Sequence, residues 1–149
     1  MPSIPRGCDV YCQPDRILIA TRITDKTLRK GPSSPFYSYD INTSTRELGE
    51  AIKNAIESIR FGLTEQEFDS EIKQFFEFAE VKDWNRLERN WNYIAVSEEP
   101  SGNIVIIPTK KMPAGGYFYE IGDPEWSSKP LPEELGKSLR KAIQYLYQP

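Results

Sequence analysis

ELGEAIKNAI at residues 47–56 and ELGKSLRKAI at residues 134–143 are the two stretches that decide how this chain folds. In both, apolar side chains recur at the spacing of one helix face, so each stretch predicts an amphipathic helix. Each also carries a glycine at its third position, Gly49 or Gly136, which costs about 1 kcal/mol relative to alanine inside a helix. Because the cost recurs at the same position, we expect a close approach between each helix and a sheet.

The similarity between the two halves extends upstream of these helices. Three features come in the same order: an apolar strand ending in threonine and a basic residue, a Tyr-x-Tyr-acid-Ile strand, and the Glu-Leu-Gly helix. They occupy residues 17–22, 37–41 and 47–59 in the first half, and 105–110, 117–121 and 134–146 in the second. Each half also begins with a short strand, at 9–13 or 93–96. The sequence therefore predicts two β-β-β-α units, explained by internal duplication or by convergence of two similar units.

A helical segment separates the two units. Thr64 and Glu67 form a capping-box pattern, and the apolar residues of 68–79 follow at helical spacing. A shorter helix is predicted at 84–89. The chain then divides into a repeat unit at 9–60, a helical insert at 63–90 and a second repeat unit at 91–147, within one domain spanning 1–149.

These elements predict an α+β fold. We expect about six mostly antiparallel strands in a curved sheet or a partly open barrel. The two repeat helices should pack on the sheet, and the insert helices should lie at one end of it.

The composition excludes several classes of protein. The 149 residues include no histidine, which rules out every Ser-His, Cys-His and histidine-ligated metal mechanism. The two cysteines, Cys8 and Cys12, would lie about 13 Å apart on one face of a strand, too far for a disulfide, and two thiols alone make a poor zinc site. We expect them to be ordinary core or near-surface residues, and we predict no metal and no cofactor.

No targeting or membrane segment is evident in the sequence. No apolar run approaches the roughly 20 residues that span a bilayer, and the N-terminus lacks the apolar core of a secretory signal. We therefore expect a cytoplasmic protein with no membrane partner. The net charge of −3 is also unlike that of nucleic-acid binders, which are usually basic.

Two functions from other classes remain as alternatives. A small carboxylate-dependent hydrolase could use Glu98 with Glu99, or Asp123 with Glu125, as acid and base, although both pairs are predicted on exposed loops. A nucleic-acid-binding module would need its basic residues on one face and could stack bases on the Tyr-x-Tyr rings. The residues concerned are Lys26, Arg29, Lys30, Lys110, Lys111, Tyr37, Tyr39, Tyr117 and Tyr119.

The order and spacing of these motifs resemble those of a known family. They are the Glu-Leu-Gly helix, Val-Lys-Asp-Trp-x-x-Leu-Glu-Arg at 81–89, Ile-x-Ile-x-Pro-Thr-Lys at 104–110, Gly-Gly-Tyr-Phe at 115–118, and the last helix. Together they look like the immunity proteins of bacterial contact-dependent growth inhibition systems. The resemblance covers the chain from about Ile17 to Leu146.

The resemblance implies a cytoplasmic protein that neutralises the toxic C-terminal domain of a matching effector by covering its active site, without turnover of its own. Such toxins are commonly nucleases, and a nuclease presents a basic groove that acidic side chains could match. No interface residue can be transferred by motif. We therefore predict contacts from charge and exposure, with Trp126 as the aromatic anchor. The predicted contact residues are Asp69, Glu71, Glu98, Glu99, Asp123, Glu125 and Trp126.

Overall fold

The computed structural model describes residues 6–119 and 123–147, which form an open sheet with helices on both faces. In chain order, the elements are β1 (Gly7–Cys12), β2 (Arg16–Asp25), β3 (Lys30–Asp40), α1 (Thr45–Glu57), β4 (Arg60–Leu63), α2 (Glu65–Ala79), α3 (Trp84–Asn90), β5 (Asn92–Glu98), β6 (Ile104–Pro108), β7 (Lys110–Lys111), β8 (Tyr117–Phe118), β9 (Trp126–Ser128) and α4 (Pro132–Tyr147). The α+β class is confirmed.

The main sheet, as far as the chain is described, runs in the order β3-β2-β1-β5-β6-β9. All neighbours along this path are antiparallel. β1 pairs with β5 at the centre, so β2 and β6 occupy corresponding positions on either side, as do β3 and β9. β4, which the sequence did not predict, adds in parallel to the end of β2. The sheet does not close into a barrel.

The third strand of the second unit differs from the prediction. Tyr117 and Phe118 pair with Lys111 and Lys110 in a separate two-stranded hairpin, and β9 takes the position in the main sheet that β3 has in the first unit. The predicted strand at 117–121 is therefore wrong in its pairing, and its last two residues lie outside the described residues. By contrast, Tyr37 and Tyr39 do pair with β2.

The two faces of the sheet are covered by different helices. The repeat helices α1 and α4 pack on one face, over a core that includes Cys8, Cys12, Ile19 and Ile106. α2 and α3 pack on the other face, where Phe75 and Leu87 are fully buried. The insert helices thus cover the second face rather than one end, because the apolar stripe of α2 needs a wide apolar surface. Both cysteines are free and buried, as expected.

The helix starts follow the local sequence. The Ser44 side chain accepts from the Glu47 N–H at the start of α1, and Thr64 and Glu67 form a complete capping box at the start of α2. Asp83 caps α3 in the same way, accepting from the Arg86 N–H. These contacts satisfy N–H groups that have no partner inside a helix.

The two helix glycines meet a helix, not the sheet. A Cβ added to Gly49 would overlap the carbonyl oxygen of Pro132, and one added to Gly136 would overlap that of Thr45. The first residue of each helix therefore packs on the glycine of the other, so α1 and α4 approach reciprocally through their N-terminal turns. The Arg140 guanidinium also donates to the carbonyl oxygens of Ile41 and Thr43 just before α1. The expected contact between glycine and sheet was wrong.

None of the helices found in residues 6–119 and 123–147 is long and apolar enough to cross a bilayer.

Candidate partner-binding surfaces

The predicted acidic residues lie in three separate places. Asp69 and Glu71 are on α2, Glu98 and Glu99 are at the β5–β6 turn, and Asp123 and Glu125 precede β9. Because β5 and β9 both run antiparallel to β6, the second and third pairs lie at opposite ends of β6. The two carboxylate pairs of the hydrolase alternative are therefore separated by the length of β6 and do not converge on one site.

The two acidic residues on α2 differ in exposure: Glu71 faces β3 and Asp69 faces solvent. Glu71 accepts a hydrogen bond from the Ser33 hydroxyl at 2.5 Å, and its other oxygen lies 3.3 Å from Nη1 of Arg60. Burial opposes its ionisation, but the bonds from Ser33 and Arg60 lower the pKa of Glu71 below its ordinary value. Asp69 is exposed and lies 3.6 Å from Nη2 of Arg29.

Arg29 belongs to a tight turn that Asp25 organises. Asp25 accepts from the Thr27 and Arg29 N–H groups, both at 2.9 Å, from the Thr27 hydroxyl at 2.8 Å, and from Nε of Arg29 at 2.7 Å. Burial alone would raise the pKa of Asp25, yet these bonds outweigh it and lower the pKa to about 2. The turn that presents Arg29 to Asp69 thus depends on an ionised carboxylate.

We expect Asp25→Asn to lower stability near neutral pH and to flatten its acid dependence. A carboxyl pKa lowered on folding stabilises the protein above the unfolded pKa of about 4, and this contribution is lost as the pH falls toward 2. Urea unfolding midpoints at several pH values between 7 and 2 would measure it. Asp15→Asn, on an exposed turn, controls for net charge, and a difference between wild type and Asp25→Asn that stayed constant down to pH 2 would contradict the assignment.

The β5–β6 turn is held to its neighbours at both glutamates. Glu98 lies 4.0 Å from the Arg6 guanidinium, and Glu99 accepts from the Ser127 hydroxyl of β9 at 3.3 Å. Backbone hydrogen bonds between Glu99 and Asn103 and between Gly102 and Glu99 close the turn. These two carboxylates are therefore presented on a defined turn.

Two of the three predicted contact residues before and within β9 already contact other side chains of this chain. Asp123 lies 3.3 Å from Nζ of Lys110, whereas Glu125 is exposed. Trp126 is half-buried against the core under α4, with its ring edge-to-face to Tyr145 at 6.2 Å. The structure thus gives this tryptophan a packing role in addition to any contact it makes with a partner.

The basic residues of the nucleic-acid alternative are also separated. Lys26, Arg29 and Lys30 lie around the β2–β3 turn, and Lys110 and Lys111 follow β6. β6 is antiparallel to β2 through the pairings β2-β1-β5-β6, so the two groups lie at opposite ends of the sheet. Tyr37 and Tyr39 stack at 6.3 Å and pack against the core. The shared basic face that this alternative requires does not form.

A buried polar cluster that the sequence analysis missed lies on the sheet face covered by α2 and α3. Asp9 accepts from Nη2 of Arg22 at 3.1 Å and from the Tyr93 hydroxyl at 2.5 Å, and Arg22 also donates to the Cys8 carbonyl oxygen at 3.1 Å. Asp9 and Arg22 are only 4% and 8% exposed. Burial opposes the charge of Arg22, but the Asp9 carboxylate raises the pKa of Arg22 above its ordinary value.

This cluster forms the floor of a depression of about 340 Å³, with Lys30 and Trp84 on its walls. A second depression of about 340 Å³ lies between α3 and the β7–β8 hairpin. Its lining includes Glu88, Arg89 and Lys111. The buried polar cluster under the first depression could have been found from the sequence, since Asp9 and Arg22 are charged residues within apolar strands. The second depression could not, because it depends on where the β7–β8 hairpin packs, and the local sequence does not specify that position.

Comparison with known proteins gives one family and a clear fold. The family model described as CDI immunity protein matches residues 6–145. The fold is similar to a protein of unknown function from Neisseria meningitidis, NMB0488, with a TM-score of 0.72, 15% identity and coverage of 97% of each chain. It is also similar to a chain in the CdiA-CT/CdiI toxin and immunity complex from Yersinia pseudotuberculosis, with a TM-score of 0.68, 17% identity and coverage of 95% of this chain and 97% of that one. No curated protein matches the chain.

Proposed function

Because the chain belongs to the CDI immunity protein family, we propose that it binds and neutralises the toxic C-terminal domain of a cognate contact-dependent growth inhibition effector. The family match over residues 6–145 is the observation that carries this proposal. A structure of similar fold comes from a complex of a toxin with its immunity protein, which supports the same role.

We further propose that the toxin is a nuclease and that binding covers its active site in the cytoplasm. A nuclease that holds a phosphate backbone presents positive charge, and exposed carboxylates on an inhibitor accelerate association with such a surface. The chain would act by stoichiometric binding, without turnover. Its lack of histidine is consistent with that role.

The proposed contacts are the acidic side chains and the tryptophan named above. Asp69 and Glu125 support the proposal best, because both are exposed, on α2 and in the segment before β9. Glu99 is half-buried on a closed turn. Glu71 and Asp123 are held in ion pairs at 3.3 Å, so their part in a complex would require exchange of those partners. The complete proposed set is Asp69, Glu71, Glu98, Glu99, Asp123, Glu125 and Trp126.

We expect the purified chain to abolish the activity of the toxin domain encoded immediately upstream. The titration should be linear and end at about one equivalent, because occlusion consumes one inhibitor per toxin. The measurement is cleavage of RNA and DNA substrates at a toxin concentration well above Kd, together with growth of cells that co-express both chains.

Three outcomes separate the parts of this proposal. Growth inhibition that persists undiminished on co-expression would refute neutralisation. Neutralisation of a toxin that cleaves neither RNA nor DNA would refute only the nuclease assignment. Complete inactivation by far less than one equivalent would point to catalysis and refute occlusion. The toxin domain of an unrelated effector is the control, and it should retain full activity.

A further inference from the structure

Two segments of the chain have no counterpart in the other β-β-β-α unit. β2 and β3 are joined by a short turn at 26–29, whereas residues 109–125 separate β6 from β9 and contain the β7–β8 hairpin. The second segment is the insert between the units, which contains α2 and α3. The paired units account for the sheet and for α1 and α4, so these segments require a separate explanation.

Core packing explains α2 but not α3 or the hairpin. α2 buries Phe68, Ile72, Phe75 and Ala79 against the sheet. α3 buries only Leu87, both residues of β7 are exposed, and both residues of β8 are half-buried. Elements that bury so little apolar surface add little to stability. A role other than stability is therefore needed to explain the presence of α3 and the β7–β8 hairpin.

α3 and the hairpin contact each other and form one surface. The Lys111 ammonium donates to the Arg89 carbonyl oxygen at 3.3 Å, and the Tyr117 hydroxyl donates to the Trp91 carbonyl oxygen at 2.8 Å. The second depression lies between them, lined by Asn85, Glu88, Arg89 and residues 111–115. We call α3 together with residues 110–118 the α3–hairpin surface.

The surface exposes large apolar side chains that are held in place. Trp84 is 42% exposed, and its ring packs edge-on against Phe76 at 4.9 Å, so it is fixed before any partner arrives. Met112, which directly follows β7, is 44% exposed and lines the second depression. Fixed tryptophans and exposed methionines of this kind are enriched in the centres of protein interfaces.

The charges on this surface are mainly positive. Of the nine arginines, all in the described residues, seven direct their guanidinium groups to carbonyl oxygens, carboxylates or hydroxyls. The two without such a contact in the described part of the chain are Arg86 and Arg89, which are exposed and three residues apart on α3. Lys111 adds to this charge, and Glu88 is the one carboxylate among the described residues that line the depression.

We infer that the α3–hairpin surface forms a further part of the toxin interface, in addition to the acidic contacts proposed above, and that the toxin presents an acidic segment to it. This inference rests on the proposed function. Arg86 and Arg89, whose guanidinium groups contact no acceptor among the described residues, are available for bidentate contacts with carboxylates. Trp84, at the start of the same helix, supplies an apolar anchor. The acidic segment would lie next to the toxin's substrate groove, because a groove that holds a phosphate backbone is itself basic.

The test compares Kd values for the toxin domain encoded upstream, measured with purified full-length variants. We expect Arg89→Glu/Lys111→Glu to weaken binding by about 100-fold and Trp84→Ala by about 30-fold, as for central interface residues. Lys137→Glu/Lys141→Glu makes the same charge change on exposed positions of α4 and should leave Kd within about threefold. Thermal unfolding of each variant checks that a loss of binding is not a loss of folding.

Each outcome supports or overturns the inference. Loss of binding in the α3–hairpin variants, with normal binding by Lys137→Glu/Lys141→Glu, supports it whether or not the acidic variants also lose binding, as does protection of amides in 84–90 and 110–118 from hydrogen exchange in the complex. Unchanged binding by these variants, with loss in Glu98→Lys/Glu99→Lys, would overturn it and leave the proposed function intact. If the wild-type chain fails to bind the toxin domain, both the function and this inference are refuted.

Discussion

Replacing Gly136 by alanine is expected to lower the free energy of unfolding by about 3 kcal/mol, at the upper end of the usual range for overpacking. The added methyl group would overlap the carbonyl oxygen of Thr45, which belongs to the backbone of α1 and cannot rotate away. α1 and α4 would have to separate, which loosens the packing of Leu48 and Leu135 beneath them. Alanine is the better helix former by about 1 kcal/mol, so the sign of the effect tests the contact itself.

The reciprocal contact makes the double variant more informative than either single one. Gly49→Ala should destabilise by a similar amount, because its methyl group would overlap the Pro132 carbonyl oxygen. One separation of the helices relieves both overlaps, so the loss in Gly49→Ala/Gly136→Ala should fall well below the sum of the two. Urea unfolding measures the free energy of unfolding of the two single variants and the double variant. Lys137→Ala, at the exposed position next to Gly136, is the control. Strict additivity, or a gain of stability in either single variant, would contradict the reciprocal packing.

The helices could be predicted from sequence because their signals are local. Thr64 and Glu67 make the capping contacts that their spacing indicates. The apolar stripes of α1, α2 and α4 are also the buried ones. Helix formation is determined within a few residues, and these signals agreed with the tertiary structure.

Strand pairing was less predictable because it is decided between distant residues. β9 (Trp126–Ser128) and β4 (Arg60–Leu63) are too short to show an alternating pattern, so both were missed. The Tyr-x-Tyr similarity between 37–39 and 117–119 pointed to equivalent strands. A two-tyrosine motif fits any half-buried strand, however, and does not specify its neighbour. In the second unit it belongs to the β7–β8 hairpin.

The candidate surfaces depend on the same non-local contacts. The charges along the chain predicted Glu98, Glu99 and Glu125 as surface acids, of which the structure leaves Glu125 exposed and Glu98 and Glu99 half-buried. The sequence could not place these residues relative to one another. The α3–hairpin surface arises where a hairpin from one unit meets a helix from the insert, which only the assembled sheet determines. The motifs along the chain therefore indicated the family and most elements, whereas the grouping of side chains depends on contacts between distant residues.

The proposed binding role also agrees with how the fold separates a packed core from exposed elements. The two β-β-β-α units form a rigid frame, because α1 and α4 pack closely at Gly49 and Gly136 and because the central strands β1 and β5 pair. α3 and the β7–β8 hairpin, which lie outside this frame, bury little and expose arginine, tryptophan and methionine. A rigid frame limits the ordering cost of binding, which favours high affinity from a small surface.

Asp9→Ala is expected to destabilise the protein by about 3 kcal/mol, because it leaves the Arg22 guanidinium buried without its carboxylate partner. The Tyr93 hydroxyl would lose its 2.5 Å acceptor in the same step. Among the described residues, Arg22 would keep as acceptors the carbonyl oxygens of Cys8 and Val96, at 3.1 and 3.4 Å. Water entering through the depression above the cluster would offset part of this loss.

A double-mutant cycle separates the charge pair from simple packing loss. Asp9→Ala/Arg22→Met removes both charges and keeps most of the apolar stem of Arg22, so it should be less destabilised than Asp9→Ala alone. The resulting coupling energy should be about 2 kcal/mol. Asp9→Asn, which keeps the side-chain shape and an acceptor for Tyr93, should fall between wild type and Asp9→Ala. Urea unfolding at pH 7 provides the measurements. If the two single losses simply add in the double variant, the cluster owes its stability to packing and not to the ion pair.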